Sequence, residues 1–268
     1  MPSCSLFKRL LLLIAVAGAL LSSAEAVTLD WDAVAWTPGS LSNSYDIDPA
    51  RPGSDITVGV TGNTGALTTD AASGTMTPAN NTSLHGGLSP AQKSLLFTTS
   101  FSNSSQSITI TVTFSAEYVG GVENVSFTLF GIQKRSNIQD YVTSISALGV
   151  DGTTVYAPTI TNVGSSVTHS GTDLSQTLTG SNAVSSTGSG SGAGNATISF
   201  TSSGIRSVTF TFSNATGAPN PGTQNVSLHD INFTPVPEIN PALSAIGSCL
   251  MAAAVAFHHR NRVRARRK

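Results

Sequence analysis

Cysteine, histidine and charge are all scarce in this chain, and each scarcity closes off a class of chemistry. Only two of 268 residues are cysteine, Cys4 and Cys249, and both fall in the terminal segments. The stretch from about Val27 to Pro237 therefore has no thiol. It can hold no disulfide, no thiolate metal ligand and no cysteine nucleophile. Three histidines remain there, His85, His169 and His229, and with no HExxH spacing and no cysteine the stretch argues against a zinc site. Charged residues make up 10% of the chain. Between residues 27 and 237 five basic residues face twelve acidic ones, a net charge of −7, although the whole chain carries only −1. An acidic surface disfavours nucleic acid and anionic membranes as partners. Lysine, glutamate and leucine are also sparse in this stretch, which argues against long helices.

Serine, threonine, glycine, asparagine and valine fill the space that these residues leave. Ser107 to Phe114 reads SITITVTF, with Ile108, Ile110, Val112 and Phe114 on one face and hydroxyls on the other. That two-residue period is the signature of a half-buried strand. Val125, Phe127 and Leu129 repeat it, as do Val208, Phe210 and Phe212. Further strands are expected at 27–31, 56–60, 95–99, 141–145, 153–156, 198–200 and 225–233. In the last, Val226 and Leu228 share one parity and Ile231 and Phe233 the other, which calls for a β-bulge near His229 and Asp230. Asp151-Gly152 between apolar segments predicts a hairpin with a type I′ turn. Residues 180–194, nearly all Ser, Gly, Thr and Ala, read as a flexible surface loop. These features predict an all-β fold, an antiparallel two-sheet β-sandwich of jelly-roll-like character.

The two ends have a different grammar. Lys8 and Arg9 precede an uncharged apolar run, Leu10 to Leu21, and Ala24-Glu25-Ala26 supplies a small-x-small cleavage site. Residues 1–26 are thus expected to be a signal peptide, removed by signal peptidase after Ala26. At the other end Val236-Pro237-Glu238 leads into an uncharged apolar run, 239–257, and then a basic tail, 258–268, with Arg260, Arg262, Arg264, Arg266, Arg267 and Lys268. A helix over residues 242–257 would reach roughly 24 Å at ~1.5 Å per residue, a little under a ~30 Å hydrocarbon core, so Ile239 and Pro241 must help it span. Terminal arginines resist translocation and leave residues 27–235 on the outer side as an extracellular domain.

This order of Val-Pro-Glu, apolar helix and arginine cluster at the chain end resembles the PEP-CTERM sorting signal of Gram-negative, exopolysaccharide-producing bacteria. The family usually has a second proline after the glutamate, where this chain has Ile239. The resemblance implies processing by exosortase, transient anchoring in the inner membrane by a single transmembrane sorting helix, and delivery to the cell surface or extracellular matrix. Asn124 to Val155, NVSFTLFGIQKRSNIQDYVTSISALGVDGTTV, is similar to a β-sandwich found ahead of such anchors. That similarity carries over Asp140 alone as a cation ligand, because Gly131-Ile132-Gln133 stands where relatives place acidic residues.

No serine sits in a nucleophile-elbow pattern, and Glu117 with Glu123, the two glutamates of the stretch, flank a Tyr118-Val-Gly-Gly turn where charges are ordinarily solvated. Asp30-Trp31-Asp32 and Asp46-Ile47-Asp48 each place two carboxylates on one side of an extended chain, an arrangement that suits calcium, although neither follows the EF-hand spacing. The simpler reading is solvent-facing aspartates alternating with buried Leu29, Trp31 and Ile47. Trp31 and Trp36 are expected in the core, with exposed sugar-stacking as the alternative. The chain is accordingly read as a non-enzymatic exported surface or matrix protein associated with exopolysaccharide or biofilm, without a cofactor. A carbohydrate-binding or glycan-hydrolysing module delivered by the same anchor is the alternative.

Overall fold

The computed structural model describes residues 25–135, 137–181, 191–218 and 222–237, and the folded unit runs from Glu25 to Val236. The described residues form strands β1 (Val27–Leu29), β2 (Ser42–Tyr45), β3 (Ile56–Gly62), β4 (Ala79–Asn81), β5 (Ser94–Ser100), β6 (Ser107–Phe114), β7 (Val122–Phe130), β8 (Lys134–Arg135) and β9 (Ile138–Gly149). These are followed by β10 (Val155–Tyr156), β11 (Thr159–Thr161), β12 (Val167–Ser170), β13 (Thr177–Gly180), β14 (Ala196–Phe200), β15 (Ile205–Asn214), β16 (Thr223–Leu228) and β17 (Ile231–Pro235). Among the described residues no helix is long and apolar enough to cross a membrane. The expected signal peptide, apart from Glu25 and Ala26, and the expected sorting helix and basic tail lie outside the described residues.

The pairing is antiparallel throughout and resolves into two ladders. The first runs β2-β3-β6-β15-β9. Beyond β9, the pair β13-β12 lines the first half of its outer edge and β10 the second half. The second ladder runs β11-β14-β7 and continues onto the chain β16–β17, with β5 and β4 beside β16 and β1 beside β17. A single pair, Ile205 with Val122, joins the two ladders at a corner. Gly121 permits that approach: its φ is +73°, and a Cβ there would stand 2.7 Å from the Ile205 carbonyl oxygen.

The inner faces meet through aromatic pairs, Phe127 on Phe210 at 5.8 Å between centroids and Phe114 on Phe233 at 4.9 Å. Alternation drives this packing, since the apolar residue of each dipeptide faces inward along β3, β6, β7 and β15. Burying each such side chain contributes about 1.5–3 kcal/mol. Trp31 and Trp36 lie in this core, 0% and 4% exposed, as expected. β5 departs from simple alternation, because Ser94 to Thr99 are buried on both faces. Its outer side, Leu96, packs with Phe130 and Leu84 in a small second core under the segment that follows β4.

The expected bulge is present. Leu228 pairs with Leu129 and Asn232 with Ser126, so three residues, 229–231, oppose two, 127–128. The expected type I′ turn is not present. Gly152 N–H bonds the Gly149 carbonyl at 3.0 Å, and Gly152 has positive φ while Asp151 does not. The hairpin is closed instead by a longer turn in which the Asp151 carboxylate accepts the backbone N–H groups of Thr153 (2.9 Å) and Thr154 (2.8 Å), so only one residue needs the left-handed region.

Candidate ligand-binding surface

The outward positions of the first ladder form a sheet of hydroxyls. Register places Ser44, Thr57, Thr113 and Ser207 in one row across β2, β3, β6 and β15. The next row is Gly59, Thr111, Thr209 and Ser146, and the third is Thr61, Thr109, Thr211 and Thr143. Neighbours across strands stand ~4.8 Å apart and neighbours along a strand ~6.6 Å apart. Several hydroxyls bond to one another across the rows: Ser44 with Thr57 at 2.7 Å, Thr109 with Thr211 at 3.1 Å, and Thr111 with Thr209 at 3.3 Å. Each still has lone pairs free, because a hydroxyl offers one donor and two acceptor positions. No Asp, Glu, Lys or Arg stands within these rows; Arg206, the extra residue beside Ser207 on β15, borders the first row and donates to the Ser115 carbonyl at 3.2 Å. Threonine is a good strand former, so its presence needs no further cause. The absence of charge is what gives this face a chemical character, because it can hydrogen-bond a neutral polyhydroxyl polymer and attracts neither anions nor cations.

The densest group of ionisable side chains lies on the second ladder, at the bulge. Asp230 Oδ1 accepts the Trp31 N–H at 3.0 Å, Asp30 Oδ1 accepts the Asp32 N–H at 2.8 Å, and Asp32 accepts the Lys93 N–H at 3.2 Å. His229 Nε2 is 2.9 Å from Gln92 Oε1 and 3.6 Å from Asp230 Oδ2, and its ring lies against Phe130. Burial pulls the His229 pKa down, against the opposing pull of Asp230, Asp32 and Asp30. Burial likewise pushes the Asp230 carboxyl up, offset in part by the Trp31 N–H and by His229. The three carboxylates thus each hold a backbone N–H of a turn, which makes this a structural knot. Among the described residues no three His, Cys, Asp or Glu side chains are placed to hold a metal ion.

The remaining sequence candidates are dispersed. Glu117 is exposed in the connection before β7, and Glu123 is half-buried within β7. Asp48 departs from the expectation of a solvent-facing carboxylate, being 8% exposed. It faces Tyr118 Oη at 3.4 Å and Arg51 Nε at 3.7 Å. Burial of Trp31 and Trp36 removes them as sugar-stacking platforms. Asp140 is wholly buried, with Oδ2 accepting the Gln133 N–H at 2.9 Å. Ala26 is exposed, one residue before β1, while Ala24 lies outside the described residues. Val236 donates its N–H to the Gly121 carbonyl at 3.0 Å and Pro237 is exposed. Glu238, Arg260, Arg262, Arg264, Arg266, Arg267 and Lys268 lie outside the described residues. Sequence reading passed over the hydroxyl face as a site. Its signal was present in the Thr-x-Thr-x-Thr alternation, but only register shows that the rows coincide.

No family model matches the chain, and no curated protein matches it. Several solved structures share a distant likeness. A carbohydrate-binding module, CBM28, specific for non-crystalline cellulose is 10% identical with a TM-score of 0.34, over 64% of this chain and 88% of that one. A family 11 carbohydrate-binding module from Clostridium thermocellum, in complex with a β-1,3-1,4-mixed-linked tetrasaccharide, is 9% identical with a TM-score of 0.31, over 81% and 100%. The mannan-recognising module TmCBM27 is 7% identical with a TM-score of 0.32, over 80% and 99%. At these scores the likeness carries no argument about ligand or residues.

Proposed function

We propose that this chain is a non-catalytic, exported surface protein whose jelly-roll-like sandwich associates with neutral polysaccharide in the extracellular layer. The observation that carries the reading is the set of hydroxyl rows across β3, β6, β15 and β9, which present donors and acceptors with no fixed charge within them. A net charge of −7 over residues 27–237 turns the domain away from acidic polymers, so the preferred partner is a neutral glycan. Residues 236–268 act in this reading as the sorting signal, inserted in the membrane and processed by exosortase after signal peptidase has removed residues 1–26. The extent of the folded unit is compatible with both processing steps, since β1 begins directly after Ala26 and β17 ends directly before Val236. Co-sedimentation with insoluble neutral and acidic polysaccharides tests the binding half. Retention on the neutral polymer that is lost in Thr109→Glu and Thr211→Glu supports it, and retention indifferent to these changes overturns it. Intact-mass measurement of protein from a host with active exosortase tests the processing half.

A further inference from the structure

One end of the sandwich exposes a group of apolar side chains where the chain leaves it. Three connections meet there: residues 115–121 between β6 and β7, 150–154 between β9 and β10, and 201–204 between β14 and β15. Val150 N–H bonds the Gly204 carbonyl at 2.8 Å, and Val236 N–H bonds the Gly121 carbonyl at 3.0 Å, which fixes the exit strand to the same corner. Around it stand Val119, 68% exposed, Val150, 41%, and the cross-strand pair Leu148 and Val155, 36% and 47%. Val150 lies over Gly121, where a Cβ would stand 2.7 Å from its Cγ1. Two acids lie in these connections: Asp151 is folded back onto its own turn, with backbone N–H groups of Thr153 and Thr154 and the Thr154 hydroxyl on its carboxylate, and Glu117 is exposed in 115–121, where its backbone carbonyl accepts from the Arg51 guanidinium. At the opposite end the corresponding segments expose no large apolar side chain: 102–106 is Ser-Asn-Ser-Ser-Gln, and 215–218 is Ala-Thr-Gly-Ala.

The sequence gives the apolar rim its occupant. From Pro235, the last residue of β17, to Ile239, the first of the apolar run, there are four Cα steps, at most about 14 Å even fully extended. The headgroup layer on each side of a bilayer is itself about 5–8 Å thick. A chain with its apolar run inserted has no linker with which to lift this corner clear of the lipid. We propose that the rim formed by Val119, Leu148, Val150 and Val155 is a lipid-contacting surface that seats the domain on the headgroup layer before the tail is cleaved. The proposal rests on the reading of residues 236–268 as a membrane-inserted segment. The partner is a phospholipid surface with neutral headgroups, since the domain's acidity opposes anionic ones.

Full-length protein reconstituted in phosphatidylcholine vesicles with brominated acyl chains tests this directly. Val119→Trp and Val150→Trp place an indole on the rim, and Thr216→Trp places one in the turn at the opposite end. The native Trp31 and Trp36 are buried in the core and give a constant background. All three positions are exposed, so unchanged thermal unfolding confirms that the variants fold. The expected result is at least a twofold greater loss of fluorescence for the two rim variants than for Thr216→Trp. Equal quenching in protein that floats with the vesicles overturns the rim and leaves membrane insertion standing, as does cross-linking that shows a second copy covering Val150. Failure of the unmodified chain to float with the vesicles overturns the insertion reading and the rim with it.

Discussion

Each end of the sandwich buries an aspartate, and the two are treated in opposite ways. Asp55, 1% exposed at the start of β3, accepts the Ile47 and Asp48 N–H groups on Oδ2, each at 2.7 Å, and the Tyr118 hydroxyl on Oδ1 at 3.1 Å. Arg51 lies 4.6 Å over the Tyr118 ring and so closes the group with a cation-π contact. Asp140, 0% exposed near the start of β9, accepts one N–H on Oδ2 and has no partner on Oδ1. Gln224, also buried, has no partner on either amide atom. A carboxylate with a complete set of donors ties segments of chain together. One without them is disfavoured as an anion: burial pushes the Asp140 pKa well above the usual carboxylate range, despite the Gln133 N–H and the Arg135 charge.

Breaking the satisfied member should have the largest effect. Asp55→Ala leaves the Ile47 and Asp48 N–H groups without their acceptor and the Tyr118 hydroxyl with only its 3.4 Å contact to Asp48, at a cost of about 3–5 kcal/mol. Urea unfolding at neutral pH should show the loss as a lowered midpoint with little change in slope, and Tm should fall by on the order of 10 °C for a domain of this size.

The unsatisfied member should respond with the opposite sign. A carboxyl whose folded pKa is raised binds its proton more tightly when folded, so its stabilising contribution is complete below its unfolded pKa. That contribution is lost as pH rises toward the folded pKa. Asp140→Asn keeps an acceptor for the Gln133 N–H and removes the ionisation. It should therefore raise stability at neutral pH and change it little near pH 4, below which the carboxyl is uncharged in both the folded and the unfolded chain. Unfolding curves at several pH values check this, and an equal effect at every pH breaks the contrast.

Neither end could be read from the sequence. Asp55 and Tyr118 are 63 residues apart, and a carboxylate's burial is decided by donors that only the completed fold brings to it. What was legible is what has a period. Alternation at Ile108 to Phe114 placed β6, and the change of parity between Leu228 and Ile231 placed the bulge. It could not show that the bulge gathers His229 against Gln92, 137 residues earlier. Periodicity also failed at β5, whose outer side is covered by a segment with no pattern of its own. On the hydroxyl face each row of side chains was visible strand by strand, but the register that aligns β3, β6 and β15 is a tertiary fact.

Tyr118→Phe separates the hydroxyl from the ring. It removes the donor to Asp55 and retains the ring's packing against Phe233 at 5.7 Å and beneath Arg51. The expected loss is about 1 kcal/mol, smaller than for Asp55→Ala because the two backbone bonds of Asp55 remain. A loss equal to that of Asp55→Ala would show the hydroxyl to be the keystone of the group.

The smallest effect on stability should come from the hydroxyl bonds that face solvent. Thr109 and Thr211 exchange a bond of 3.1 Å, the same length as that between Tyr118 and Asp55, but both side chains are partly exposed and water can replace either partner. Thr109→Val with Thr211→Val keeps the branched shape that suits a strand and removes both oxygens. Unfolding free energy should shift by less than about 0.5 kcal/mol, because no buried polar group is left unpaired. Binding to neutral polysaccharide should fall several-fold in the same double variant, since the rows then lack the donors and acceptors at their centre. Stability and binding thus separate on this face, whereas at Asp55 stability alone is at stake. Co-sedimentation and urea unfolding on one preparation measure both, and a variant that unfolds early while binding normally would reverse the assignment of the hydroxyl rows to recognition.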